Sequence, residues 1–386
     1  MHDATLVTTL GRDPHRFDGM VNTPLERTST VLYPNVQAFE SAKTHQGITY
    51  GRSGTATTYA FEEAIAALEG GYRSMAVASG LAAVVLPIVA LTGPGDHLLV
   101  VDTAYGPTRA FCERAVQDRQ VEVTYYDPVI GSGIEALIRP TTRLIVLEAP
   151  GSLTFEMQDI PAIVNVARRC GVPTLIDATW ATPLFLKPLS LGVDVSVHAV
   201  TKYIGGHSDL MLGVITTGEA IHMRIRQGIY ALGSHASPSD CWLALRGLRT
   251  LAVRMERHAR SALTIAEWLA GRPEVERVLY PALTSDPGHD IWRRDFAGAS
   301  GLFGVVLKSC SKAAVSAMID GLELFGIGAS WGGFESLCLP TYPVKIRTAV
   351  PWNPAGPSLR LHIGLEDPVD LIADLESGLA RLRATG

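Results

Sequence analysis

Lysine is scarce in this chain of 386 residues: six lysines (Lys43, Lys187, Lys202, Lys308, Lys312, Lys345) stand among 33 basic residues. Cysteine is scarcer still. Five cysteines (Cys112, Cys170, Cys241, Cys310, Cys338) are scattered without a C-x-x-C pair, which argues against a disulfide framework or a cysteine-based zinc site and fits reduced thiols. No apolar run is long enough to span a bilayer, since the longest, Leu81–Leu91, is short and contains Pro87. There is no G-x-x-x-x-G-K-[ST] and no G-x-G-x-x-G, so neither a Walker loop nor a dinucleotide fingerprint competes for a phosphate. Basic excess is missing too: a net charge of −5 gives no electrostatic case for nucleic acid or an anionic membrane. The first twenty residues lack a basic segment followed by an apolar one, so no secretory leader is expected and the cytoplasm is the expected compartment.

What is present describes a globular protein, with 47% hydrophobic and 18% charged residues. The length favours more than one domain. The opening residues, to about 45, read as an irregular arm broken by Gly, Pro and Asn. Apolar runs then alternate with helical patterns: Ser74–Ser79, His97–Asp102, Val121–Tyr126, Arg143–Glu148, Pro173–Ala178 and Val193–Val200 read as strands. Their continuous hydrophobicity predicts burial on both faces, hence an α/β fold with a mainly parallel sheet wrapped by helices. The pattern turns helical over 240–265, and a smaller α+β segment follows. The expected organisation is an arm over 1–50, a large domain over 51–240 and a smaller domain over 241–386.

In open parallel sheets ligands sit beyond the carboxyl ends of the strands, so polar residues ending apolar runs are the informative ones. Ser79, Gly80 and Leu81 open an apolar helix whose N-terminus suits a phosphate, although a glycine there more often marks a tight turn. Tyr105 follows a strand and could stack on an aromatic ring or simply pack. Asp177 ends an apolar strand, where a carboxylate is either paired or functional; it caps a loop or holds a pyridine nitrogen protonated. Lys202 follows one strand later, beside Thr201, and a buried lysine can form an imine where arginine cannot. Taken alone it is a solvated strand end. Arg360 lies within an apolar strand, facing a substrate carboxylate or a partner such as Glu366 or Asp367. His198, His207 and Asp209 match no metal spacing, and no metal is expected.

The order of these residues, with "TYGRSGTAT", "ASGLAA", "TAYGPTRAF", "PGSLTFEMQDIPAI", "TKYIGGHSD", "SWGGFESL" and "LRLHIGLED", resembles the Cys/Met-metabolism family of pyridoxal 5′-phosphate (PLP) enzymes, and within it the bacterial cystathionine β-lyases. The resemblance implies PLP fold type I, the aspartate aminotransferase-like fold, with helices on both faces of the central sheet. It implies that Lys202 bonds the cofactor and shuttles protons, Asp177 pairs with the pyridine nitrogen, and Tyr105 stacks on the ring and assists exchange of amines. Ser79, Gly80, Leu81 and Thr201 would hold the phosphate, with Tyr50 and Arg52 reaching it from a neighbouring subunit. Arg360, Ser330 and Trp331 would bind the substrate, with Tyr230 and Tyr50 arriving from that neighbour. It also implies a homotetramer, a dimer of dimers with shared sites, acting on an amino acid.

Several positions depart from that pattern: Ala178 after the acid, His198-Ala199-Val200 before the lysine, Ser53 in place of a second arginine, Ala149 and Ala329. They leave two enzymatic readings beside each other. One is β-elimination from L-cystathionine to homocysteine, pyruvate and ammonia. The other is a specialised lyase acting on another S-substituted cysteine, or on a γ-substituted amino acid. A catalytically silent paralogue is disfavoured by the joint presence of Lys202, Asp177, Tyr105, Arg52 and Arg360.

Overall fold

The computed structural model describes residues 1–42 and 47–385. Seven strands form the larger sheet: β1 (Arg73–Val77), β2 (His97–Val101), β3 (Glu122–Tyr126), β4 (Thr142–Glu148), β5 (Thr174–Asp177), β6 (Val195–Ala199) and β7 (Gly213–Thr217). Their order is β1-β7-β6-β5-β4-β2-β3. All neighbours are parallel except around β7, which runs antiparallel to both β1 and β6. β1 therefore points the same way as β6, and six strands end at one edge. The central strands are buried along nearly their whole length, β2 at every position, as expected of strands covered on both faces. The edge strand β3 is only partly buried.

The six sequence runs correspond to β1–β6, with ends that coincide or differ by at most two residues. β7 is an addition to the sequence reading. Its "GVITT" is short and opens with a glycine required by packing: a Cβ on Gly213 would lie 2.1 Å from the Ser79 carbonyl oxygen. The opening residues also differ from an irregular arm. Asp3–Thr9 forms a helix that buries Val7 in a second apolar cluster with Phe61, Leu68 and Leu245, tied down by Arg249, which donates to the Val7 and Leu10 carbonyls at 3.0 and 2.7 Å. A second short helix, Val36–Ser41, is capped by Asn35.

From Pro238 two helices, Pro238–Leu248 and Leu251–Ala270, lead to a second sheet of four strands: β8 (Val275–Leu279), β9 (Leu302–Leu307), β10 (Leu337–Thr341) and β11 (Ser358–His362). It is antiparallel throughout, in the order β10-β11-β9-β8. A buried charge centre joins this part to the larger sheet. Asp102, just past β2, is paired with Arg109 and Arg347 at 2.9 Å each. It also accepts the backbone N–H groups of Thr348, Ala349 and Val350.

Candidate active site

Every strand of the larger sheet that ends at the common edge, except the outermost β3, delivers a residue to one cavity of about 270 Å³. Ser79, Gly80 and Leu81 follow β1; Tyr105 follows β2; Glu148 ends β4; Asp177 ends β5; Thr201 and Lys202 follow β6. Ser330, Trp331 and Arg360 close the other side. The Ser79 hydroxyl caps the helix Gly80–Leu91 by accepting from the Ala82 N–H at 3.1 Å. The N–H groups of Gly80 and Leu81 have no acceptor among the described residues, so this end of the cavity offers donors and the positive end of a helix. The Thr201 hydroxyl is engaged with Leu212, accepting its N–H at 3.0 Å.

At the far end lie two acids. Asp177 Oδ1 accepts both the backbone N–H of Thr179, at 3.0 Å, and its hydroxyl; that hydroxyl in turn accepts the Ala199 N–H at 2.9 Å. Both bonds fall on Oδ1 and leave Oδ2 free. Burial pushes the Asp177 carboxyl above its usual range, and the Thr179 bonds pull partly back. Glu148 stands in register beside Asp177 on the neighbouring strand. Its Oε2 accepts the Tyr105 N–H at 2.7 Å, while burial, reinforced by Asp177, holds its carboxyl well above the ordinary value.

Lys202 Nζ donates to Ser330 Oγ at 2.8 Å and lies 5.0 Å from the centre of the Trp331 ring. Burial, with the Arg360 guanidinium adding to it and Asp177 opposing, lowers its amine to about 8. Its bond to Ser330 within the cavity argues against the solvated strand end. Arg360 is not paired with Glu366, which accepts from Ser336, nor with Asp367, which lies near Arg257. It donates instead to the carbonyls of Ala329 and Ser330 at 3.2 and 3.1 Å, and carbonyls leave its charge uncompensated.

Three candidates fall outside this cavity. Tyr50, Arg52 and Tyr230 group with one another: the Arg52 guanidinium carbon lies 5.5 and 5.3 Å from the two ring centres. Both tyrosines are exposed. His198 points away from the cavity and is buried against Glu69, which accounts for its place in β6 without a ligand. Among the described residues no group of His, Cys, Asp or Glu could hold a metal. Among the polar and charged residues lining the cavity, the sequence reading missed Glu148, Ser152, Thr179 and Trp180. Glu148 ends "RLIVLE" just as Asp177 ends its own apolar run, so the same signal was there to be read.

A parallel-sheet cavity that sets a depressed lysine between an acid and a donor-rich helix start is the architecture of a PLP enzyme of fold type I. The chain belongs to the family described as Cys/Met metabolism PLP-dependent enzyme, whose model matches residues 4–380. It is 45% identical over 390 residues to a cystathionine beta-lyase of Bordetella avium, covering 98% of each chain. It is 40% identical over 388 residues to cystathionine beta-lyase MetC of Escherichia coli, again covering 98% of each. The crystal structure of metB from Corynebacterium glutamicum superposes with a TM-score of 0.91 at 32% identity, covering 99% of this chain and 98% of that one.

The residues present fit PLP. Donors without acceptors at Gly80 and Leu81 suit its phosphate, a free carboxyl oxygen on Asp177 suits its ring nitrogen, and an amine lowered to about 8 suits its aldehyde. Among the described residues no helix is long and apolar enough to cross a membrane.

Proposed function

We propose that this protein is a carbon–sulfur β-lyase that cleaves L-cystathionine to homocysteine, pyruvate and ammonia. The observation that carries the reading is Lys202: a half-buried amine bonded to Ser330, lowered to about 8 and sharing one cavity with Asp177 and Arg360. Lys202 is the attachment point of the cofactor. Gly80, Leu81, Ser79 and Thr201 hold its phosphate, Asp177 its ring nitrogen, and Tyr105 covers the ring face. Arg360 takes the substrate α-carboxylate in a bidentate grip, with Ser330 and Trp331 beside it. When bound, the cofactor supplies an electron-withdrawing ring that lowers the cost of a carbanion at Cα. Lys202 takes the Cα proton and delivers a proton to the departing sulfur; near pH 8 its amine is poised for both directions. Trp331 and Leu302 add apolar surface to the cavity lining.

The same reading assigns residues 1–50, 51–240 and 241–386 to an arm, a cofactor-binding domain and a smaller domain. It places Tyr50, Arg52 and Tyr230 at the site of a neighbouring subunit, which fits their exposure and their separation from this chain's own cavity. The assembly is a homotetramer built as a dimer of dimers, working in the cytoplasm. The test is turnover of the cofactor-loaded protein on L-cystathionine, with both products identified. Pyruvate with homocysteine, at a kcat on the order of 1 s⁻¹ or more, is expected. 2-Oxobutyrate with cysteine would make it a γ-lyase, and negligible turnover would mean another S-substituted substrate.

A further inference from the structure

Ser330 and Trp331 do not sit on a helix or strand; they lie in an irregular segment, 329–335, that leads into β10. Irregular backbone holds a catalytic contact only where something outside it fixes its shape. Two side chains of β11, Arg360 and His362, lie on one face of that strand and reach the segment together. Arg360 takes its carbonyls at Ala329 and Ser330. His362 takes both kinds of backbone group: its Nε2 is 3.0 Å from the Gly332 nitrogen, and its Nδ1 is 3.0 Å from the Glu335 carbonyl oxygen.

Those two partners leave the imidazole no choice. A backbone N–H can only donate, so Nε2 carries no proton; a carbonyl can only accept, so Nδ1 carries one. An imidazolium would set one N–H against another. The surroundings oppose that charge as well: the ring is buried, with His258 at 5.4 Å between ring centres, Tyr203 at 5.8 Å, and the cations Arg360 and Lys202 near it. The far side of the strap is equally constrained. Gly332 has φ +85°, and a Cβ there would lie 2.8 Å from the Tyr203 nitrogen and 2.9 Å from the Lys202 carbonyl carbon. The segment is therefore pressed directly onto the backbone of the reactive lysine.

We propose that His362 is a positioning residue whose Nδ1–H tautomer straps Gly332 in place and so sets Ser330 and Trp331 against Lys202. The proposal rests on Lys202 being the reactive amine, but the tautomer can be read without any turnover. Solid-state nitrogen NMR of the cofactor-loaded protein, labelled at histidine and glycine, identifies His362 through its contact with the Gly332 amide. The expected result at pH 7 is a neutral ring protonated at Nδ1. An Nε2–H or charged ring overturns the strap, and the measurement stands even if every variant fails to fold.

Two substitutions then separate the bonds. His362→Gln places an amide oxygen where Nε2 accepts; His362→Asn reaches only as far as Nδ1 and leaves the Gly332 N–H without a partner. His362→Asn should lose about tenfold in kcat/KM on L-cystathionine, while His362→Gln stays within about threefold of the parent. His362→Asn should also shift the pH midpoint of the cofactor's visible absorbance, with His362→Gln restoring it. Equal losses in both variants, or an unmoved midpoint in His362→Asn, would reduce His362 to a packing residue.

Discussion

Asp102 and Asp177 close two parallel strands of one sheet at the same edge, yet they ionise in opposite directions. Around Asp102 burial alone would raise the acid. N–H groups from Val350 and Thr348, with Arg347 and Arg109, outweigh it and hold the carboxyl down to about 2. Asp177 is partly exposed to the cavity at its strand end, yet its only bonds come from Thr179, so the loss of solvent wins and its acid rises. The difference is one of supply. An acid given a donor for every lone pair is a structural anchor, whereas an acid left short beside a cavity keeps an appetite for a ligand's proton or charge.

Neutralising each acid should break the symmetry most visibly. Asp102→Asn leaves Arg109 and Arg347 buried beside an amide and should cost about 3–5 kcal/mol in urea unfolding of the cofactor-free protein. Asp177→Asn keeps an oxygen for Thr179 and sheds a poorly compensated charge. Its unfolding free energy should stay within about 1 kcal/mol of the parent or rise, while kcat on L-cystathionine falls on the order of 100-fold or more through loss of the group proposed to face the ring nitrogen. Comparable losses of stability in both variants would erase the distinction.

Acid titration sharpens the same contrast with smaller effects. Asp102 has a folded pKa below its unfolded value, so its contribution is present above about pH 4 and is lost as pH falls through about 2. Asp177 and Glu148 have folded pKa values above their unfolded ones. The folded state then binds more protons, and these two groups favour folding as the pH falls toward 4. Urea midpoints of the cofactor-free protein from pH 7 to pH 2 should show a decline below pH 4 that Asp102→Asn diminishes. A decline of unchanged size in that variant would mean that other carboxylates govern acid unfolding.

The legibility of these regions in the sequence divides along the same line. Strand ends are local, and Asp177, Lys202 and the Ser79-Gly80-Leu81 turn each stand where an apolar run stops. β7 was not legible because five residues opening with glycine carry too little pattern to separate a strand from a loop. The helix at Asp3–Thr9 was missed because it owes its stability to Phe61, Leu245 and Arg249, far along the chain. Asp102 and His362 were out of reach for a related reason. Their partners, Thr348 and Gly332, lie 246 and 30 residues away, and only the fold brings them together.

Glu148 tests the comparison at its finest grain, because it can be neutralised without moving an atom. Its oxygen accepts the Tyr105 N–H, and its register neighbour is Asp177, so two carboxyls share one buried strand end. Like charges this close cannot both persist cheaply, and the acid with the poorer set of donors keeps its proton. Glu148 has one N–H donor where Asp177 has an N–H and a hydroxyl, which makes Glu148 the neutral member. Gln reproduces a neutral glutamic acid in shape and still accepts from Tyr105. Glu148→Gln should therefore change unfolding free energy by less than about 1 kcal/mol and kcat/KM by no more than about threefold. Glu148→Ala, which strands the Tyr105 N–H, should cost about 1–3 kcal/mol. A large loss in Glu148→Gln, matched by the alanine variant, would show that the glutamate works as an anion. Asp177 would then be the protonated partner, and the pairing of that acid with the ring nitrogen would have to be reassigned.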